Sequence, residues 1–237
     1  MRRLLMSAAL LALTASLCLP VTAEEPPHVT FSPPPPGSVV QSQVVYLAGQ
    51  AMHSQWRGVI GKRVAGKSSS TTFYQWYLSI YAIDDATYHL RYQSPRDGGP
   101  LSKVEKASGG DMWYPLQSAE IVGAAQLMQP AVEQLIVSSH ETGADCGSST
   151  VTVLRTDSAG KIVPAVTLQN NCDLKVRISR GTGGVPDALI LNGPYYNSTA
   201  PNCCPTKAKA VATLRYRNGT WIEKPKYFTI YPSAFPH

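Results

Sequence analysis

Side chains alternate with a period of two from Thr71 to Ile83. Because successive side chains of a strand point to opposite faces, this pattern predicts a half-buried strand. The segment Asp84–Thr87 predicts a turn, after which Tyr88, Leu90 and Tyr92 continue the alternation on a return strand. One face of the first strand holds Tyr74, Trp76, Leu78, Ile80 and Ala82, and the predicted polar face holds Gln75, Tyr77, Ser79 and Tyr81.

The second half of the chain predicts short strands at regular intervals. They cover residues 150–155, 162–168, 173–179, 187–192, 210–217 and 220–230. Asn218-Gly219 is a strong signal for a two-residue hairpin between the last two. Charged residues make up only 15% of the chain, against about 25% in average soluble proteins, and this composition excludes a coiled coil. We therefore expect a mainly β fold, an antiparallel sheet or sandwich of short hairpins.

Helical character is confined to residues 118–137. Ser118 fits a helix cap, and Ala, Gln, Glu, Leu and Met dominate, although Pro130 must interrupt any helix there. The sequence thus predicts three regions: a β-hairpin region over 39–117, a short helical insert over 118–138 and a disulfide-linked β region over 139–237. Alternatively, residues 39–237 form one domain.

Residues 1–23 have the three parts of a secretory signal, with Arg2 and Arg3 before an apolar stretch and small residues before Glu24. We expect a soluble exported protein, periplasmic or extracellular, with a Pro-rich extended lead-in over 24–38. Lipidation at Cys18 is disfavoured by Leu17, and the apolar stretch is short for a membrane anchor. No transmembrane segment is expected in the mature chain, which would carry +4 over 214 residues. This charge is too weak and dispersed to predict nucleic-acid binding.

Four cysteines remain in the expected mature chain, and an even number in an exported protein predicts disulfides. Cys146 and Cys172 lie symmetrically about the predicted turn at Ala159 and could pair at a hairpin base, leaving Cys203 and Cys204 to each other. A disulfide between the adjacent residues Cys203 and Cys204 would be strained. This favours the alternative in which Cys203 and Cys204 each pair with one of the two upstream cysteines. Their spacing is wrong for zinc or redox motifs, so no metal site is expected.

Two motifs suggest chemistry that their surroundings do not support. Residues Gly61–Ser68 match the phosphate-loop pattern GxxxxGK[ST], but no helix follows, and we expect a Gly/Ser loop instead. His140, Glu141 and Asp145 lie close in sequence without a nucleophile or second ligand set, so a solvated loop is expected there.

The candidate binding residues are tyrosines and nearby cations. Tyr77 and Tyr81 are predicted on the polar face of their strand, where they could offer a platform to a sugar or peptide. Arg57, Lys62 and Lys67 form the densest basic segment together with Arg63. A second basic set consists of Lys207, Lys209, Arg215 and Arg217, and both sets are interpreted as solvated loop and strand faces.

The segment from Tyr195-Tyr196 through Cys203-Cys204-Pro205, followed by the hairpin at Asn218-Gly219, resembles the LppP/LprE type of exported mycobacterial lipoprotein. The resemblance covers about the last 90 residues, and the missing lipidation site at Cys18 departs from the family. It implies a bacterial envelope protein and brings no catalytic residues.

We therefore expect an exported, non-catalytic, envelope-associated binding or structural protein without a cofactor, contacting an envelope glycan or another exported protein. One alternative is a small exported hydrolase that uses His140, Glu141 and Asp145. Another is an enzyme inhibitor that presents the turn from Asn202 to Thr206.

Overall fold

The computed structural model describes residues 35–47, 55–84, 87–106, 108, 113–114, 117–141, 147–197 and 205–233. The predicted signal, almost all of the Pro-rich lead-in, and Cys146, Cys203 and Cys204 lie outside these residues. The described part of the chain is mainly β, in antiparallel sheets, as predicted. No helix long and apolar enough to cross a membrane occurs among the described residues.

The strands form three larger sheets and one two-stranded ribbon. The first sheet has the order β1-β2-β3-β4, the central sheet β15-β10-β9-β8-β7 and the third sheet β11-β12-β13-β14, while β5 pairs with β6. The strands are β1 Ser38–Val45, β2 Gln55–Lys67, β3 Thr72–Asp84, β4 Thr87–Ser94, β5 Glu105–Lys106, β6 Trp113–Tyr114, β7 Gln117–Gln129, β8 Val132–Glu141, β9 Ser148–Thr156, β10 Ile162–Asn170, β11 Lys175–Ser179, β12 Ala188–Tyr195, β13 Lys207–Arg217, β14 Thr220–Lys224 and β15 Thr229–Pro232.

The central sheet is covered on both faces. One apolar core lies between it and the first sheet, where Leu135, Val137 and Leu154 meet Ile60, Leu78 and Ile80. A second core lies between it and the third sheet. Its members include Ile136, Val151, Val153, Leu189, Leu191 and Leu214. The fold is therefore a three-layer stack of sheets in which each outer sheet has one face turned away from the centre.

The predicted helical insert is wrong, because its residues form the hairpin of β7 and β8. Their pairing runs from Gln117 opposite Glu141 to Gln129 opposite Val132. The turn falls at Pro130-Ala131, and Ala131 adopts a positive φ of 62°. A strand buried on both faces carries a continuous apolar run rather than an alternating one, so its pattern is hard to distinguish from that of a helix. Burial in the central sheet outweighs the high helix propensity of Ala, Gln and Leu.

The predicted hairpins are confirmed elsewhere. β3 pairs with β4 from Leu78 opposite Ser94 to Asp84 opposite Thr87. Asn218 and Gly219 have φ values of 50° and 79°, the positive pair that a type I′ turn requires. The strand predicted over 220–230 is divided instead, since β14 belongs to the third sheet and β15 to the central one.

Candidate functional site

The outer face of the first sheet holds the two predicted binding tyrosines, but it does not expose them. Tyr77 and Tyr81 are only 2% and 1% exposed, so the prediction of an open aromatic face is wrong for both rings. The prediction of a half-buried strand is also wrong, since the middle of β3 is buried on both faces. Burial raises the pKa of Tyr77 to about 12, with the nearby Tyr81 adding to this effect and Arg63 opposing it.

Tyr77 owes its position to a glycine on the neighbouring strand. Gly61 of β2 lies opposite Tyr77, whose ring occupies the space that a β-carbon at Gly61 would need. This glycine is also the first residue of the phosphate-loop pattern. Residues 61–67 belong to β2, so the expectation of a loop there is wrong, and the turn begins only at Ser68. A β-strand paired with its neighbours lacks the nested N–H groups that cradle a phosphate.

The predicted cations near these tyrosines have different surroundings. Arg57 is only 8% exposed, and its guanidinium lies 5.9 Å from the ring centroid of Tyr88. Lys62 points to the other face, with its ammonium 4.7 Å from the ring centroid of Tyr74 and 5.6 Å from that of Trp76. Lys67 is exposed at the end of β2. The five predicted binding residues therefore do not converge on one accessible surface.

The solvated loop expected at His140 and Glu141 is wrong, because both residues belong to β8 and are half-buried. His140 Nδ1 lies 3.1 Å from Ser149 Oγ and 3.5 Å from Asp173 Oδ1. A Ser-His-Asp relay needs the serine and the carboxylate on different ring nitrogens, whereas here both approach the same nitrogen. Ser149 is also only 3% exposed. This geometry does not support the hydrolase alternative.

Glu141 has a structural role at the same place. Its Oε1 accepts hydrogen bonds from Gln117 Nε2 at 2.7 Å and from Ser102 Oγ at 3.1 Å, which ties the end of β8 to β7 and to the segment after β4. Asp145 lies outside the described residues, as does most of the turn from Asn202 to Thr206. Within the described part, no three His, Cys, Asp or Glu side chains are grouped closely enough to hold a metal ion.

The outer face of the third sheet carries a concentration of exposed cations. Side chains of β11 to β14 that point toward the central sheet, such as Leu189 and Leu214, fill the second core. Their alternating neighbours point outward. Six of these outward side chains are basic, and we call them the basic face: Lys175, Arg177, Lys209, Arg215, Arg217 and Lys224.

These cations have no acidic neighbours within their own sheet face. Asp187 and Glu223 are buried, with 8% and 5% exposure, and the exposed Asp173, two residues before Lys175, lies 3.5 Å from His140 Nδ1. No described ion pair involves any member of the basic face. In the predicted mature chain of net charge +4, the six cations of this face exceed the net positive charge, so the rest of that chain is acidic on balance.

Asp187 and Glu223 both serve the framework below the basic face. Burial alone would raise the pKa of Asp187, but N–H groups of Gly181 and Gln126 and the Arg180 guanidinium donate to its carboxylate and lower the pKa overall. In Glu223 burial dominates and raises the pKa, although the backbone N–H groups of Tyr227 and Phe228 donate to its Oε1. Both carboxyl groups hold loops of the third sheet in place.

A small pocket opens within the basic face between β13 and β14. Its volume is about 190 Å³, and it is lined by Thr213, Arg215, Arg217, Ile222 and Lys224. Strand pairing sets Arg215 opposite Ile222 and Thr213 opposite Lys224. Three cations therefore surround an aliphatic floor, of which Ile222 is 37% exposed.

The signal for the basic face was present in the sequence but divided between two strands. Lys209, Arg215 and Arg217 occupy odd-numbered positions of one strand, and Lys175 and Arg177 do the same in another. Of the four residues interpreted as solvated strand faces, Lys207, Lys209 and Arg217 are exposed, whereas Arg215 is half-buried. That interpretation missed that β12 joins β11 and β13 into one sheet. Arg177 lies opposite Ile190, and Ile190 lies opposite Thr213.

Comparisons of the chain with protein-family models, with curated proteins and with solved structures found no match.

Proposed function

We propose that this chain is an exported, non-catalytic protein that binds an anionic glycan of the cell envelope through its basic face. The observation that carries this proposal is the set of six cations on one sheet face with no acidic side chain among them. Like charges held close together repel one another, and surfaces without a binding role usually intersperse both signs. A polyanion lying across the face would relieve this repulsion.

The chemistry of the face favours a glycan over a nucleic acid or a bilayer. Binding to single-stranded nucleic acid commonly uses aromatic rings on which bases stack, and interfacial membrane binding uses Trp, Phe or Leu that insert among lipids. The aromatic residues of β13 and β14, Tyr216 and Trp221, lie on the opposite side, where Trp221 Nε1 donates to the carbonyl of Ala165. The outward apolar residues Val211 and Ile222 are aliphatic and only 45% and 37% exposed.

Export and disulfide bonding are part of the same proposal. The secretory pattern of residues 1–23 and the LppP/LprE resemblance both favour an envelope location. The pairing of β9 with β10 bears on the cysteines and ends with Ser149 opposite Asn170. If the same register continued, Cys172 would lie opposite Gly147, which is the chain neighbour of Cys146. This supports a hairpin-base pair at least as well as the crossed pairing. A peptide map of the exported protein, alkylated with and without reduction, distinguishes them and defines the N-terminus.

The binding test uses the exported chain and alginate, a linear polyuronate, as the probe. We expect binding that weakens steeply as salt is raised from about 0.05 to about 0.5 M, because salt screens exposed charges. The variant with Arg215, Arg217 and Lys224 replaced by Gln should bind at least about tenfold more weakly, which corresponds to about 1.4 kcal/mol. Neutral dextran should not bind.

The matched control removes three exposed cations elsewhere, Lys67, Arg91 and Lys103, again by replacement with Gln. It changes the net charge equally and should keep most of the affinity. Equal losses in the two variants would show that only net charge matters and would overturn the proposed site. Tighter binding to DNA or to anionic vesicles than to alginate would assign the face to those partners instead.

A further inference from the structure

The pocket between β13 and β14 differs from the rest of the basic face because it combines charge with a concave, partly apolar surface. Lys175 and Arg177 have the same spacing along β11 but do not line this pocket. In the pocket, Arg215 and Arg217 are two residues apart on one strand, hence roughly 7 Å, and Lys224 approaches from the neighbouring strand roughly 5 Å away. The side chains of Thr213 and Ile222 complete the lining.

We propose that this pocket is a subsite for one acidic sugar unit, and the inference rests on the proposed glycan-binding function. The acidic group would lie among Arg215, Arg217 and Lys224, and the C–H face of the ring would lie against Ile222. Guanidinium groups present paired donors that match both oxygens of a carboxylate or a phosphate. The Thr213 hydroxyl can donate to or accept from a sugar hydroxyl.

The size of the pocket limits what it holds. Its volume of about 190 Å³ is well below the roughly 300–1,000 Å³ of sites that enclose drug-sized ligands. One sugar ring with its acidic substituent is therefore the appropriate unit, and the neighbouring units of a polymer would extend over the open part of the face. Arg177 and Lys175 lie on β11, two strands away from β13, and would contact those neighbouring units.

The inference separates two kinds of cation on the same face. Arg217 lines the pocket, so it should matter for both a single acidic sugar and a polymer. Arg177 is equally exposed but lies outside the pocket, so it should matter for the polymer only. A face that attracts anions without any subsite would make no such distinction.

The experiment is an NMR titration of the exported chain with glucuronate, glucose 6-phosphate and glucose. We expect both acidic sugars to shift the amide signals of residues 213–217 and 222–224, with little change at Lys175 and Arg177, and glucose to have no effect. Whichever acidic sugar binds more tightly identifies the carboxylate or the phosphate as the group recognised. Inorganic phosphate should bind several-fold more weakly than glucose 6-phosphate because it lacks the ring that contacts Ile222.

Three single variants complete the test. Arg217→Gln should weaken acidic-sugar binding by at least about fivefold, and Ile222→Ala by about threefold, while Arg177→Gln should leave it unchanged. Alginate binding should fall by similar factors in Arg217→Gln and Arg177→Gln. Circular dichroism confirms that each variant is folded.

Two outcomes overturn the subsite. One is an equal loss of acidic-sugar binding in Arg177→Gln and Arg217→Gln, and the other is a set of shifts spread evenly over the basic face. In either case alginate binding by the unmodified chain would leave the proposed function intact. Absence of alginate binding would instead reject the proposed function itself.

Discussion

The outer faces of the first and third sheets begin from similar sequence patterns and end in opposite environments. In the first sheet, Arg57 is 8% exposed and lies among tyrosines, while Tyr81 is 1% exposed. In the third sheet, Arg177, Arg217 and Lys224 are exposed. Both faces alternate with inward residues of an apolar core. The comparison shows that alternation assigns a side chain to a face, whereas the surroundings of that face decide whether water reaches it.

The two faces also differ in the surroundings of their charged side chains. Burying a cation is costly unless other groups compensate, and Arg57 has the Tyr88 ring beside it. The cations of the basic face stay in water and make no described ion pair, so they are free to meet a ligand.

The largest expected effect is on the first sheet. Tyr81→Ala should lower the free energy of unfolding by about 3–5 kcal/mol, because it empties a fully buried aromatic site. Ile222→Ala on the basic face should cost less than about 1 kcal/mol, since that side chain is 37% exposed. Urea unfolding of both variants measures the contrast, and similar losses would contradict it.

A smaller effect is expected at the glycine beneath Tyr77. Gly61→Ala places a methyl group in the space that the Tyr77 ring occupies and should cost about 1–3 kcal/mol through overpacking. Val64→Ala, three residues along the same strand at a side chain that is 53% exposed, is the control and should change stability little. Thermal unfolding monitored by circular dichroism measures both. A Gly61→Ala variant as stable as the control would mean that Tyr77 can move aside.

The smallest effect concerns the support of the third sheet. Asp187→Asn removes a charged acceptor from Gly181, Gln126 and Arg180, and should cost about 1–2 kcal/mol at neutral pH. Because the pKa of Asp187 is lowered in the folded protein, its contribution is present above the unfolded value of about 3.9 and is lost as pH falls through the folded value.

The unmodified chain and Asp187→Asn should therefore differ in stability near pH 7 and converge as the pH falls below the pKa of Asp187 in the folded protein. Urea unfolding across that range measures the difference. Asp173→Asn, at a side chain that is 64% exposed, serves as the control and should follow the unmodified chain. A constant difference at all pH values would show that Asp187 acts through shape rather than charge.

Much of the β structure could be predicted from local patterns. The alternation in β3 and the Asn218-Gly219 turn are local signals, and both gave the observed hairpins. The strand β8 could not be recognised in this way, because Leu135, Ile136 and Val137 are all buried, alternately in the two cores. A continuous apolar run carries no period from which a strand can be distinguished from a helix.

The candidate site, too, was predictable only in part from local patterns. The sequence by itself determined that Arg215 and Arg217 share a face of one strand and that Lys175 and Arg177 share a face of another, since side chains of a strand alternate. Only the tertiary structure decided that β12 joins these strands into one basic face, and that Tyr77 and Tyr81 are buried. Strand order and layer packing depend on contacts between residues far apart in the chain, and no local pattern contains them.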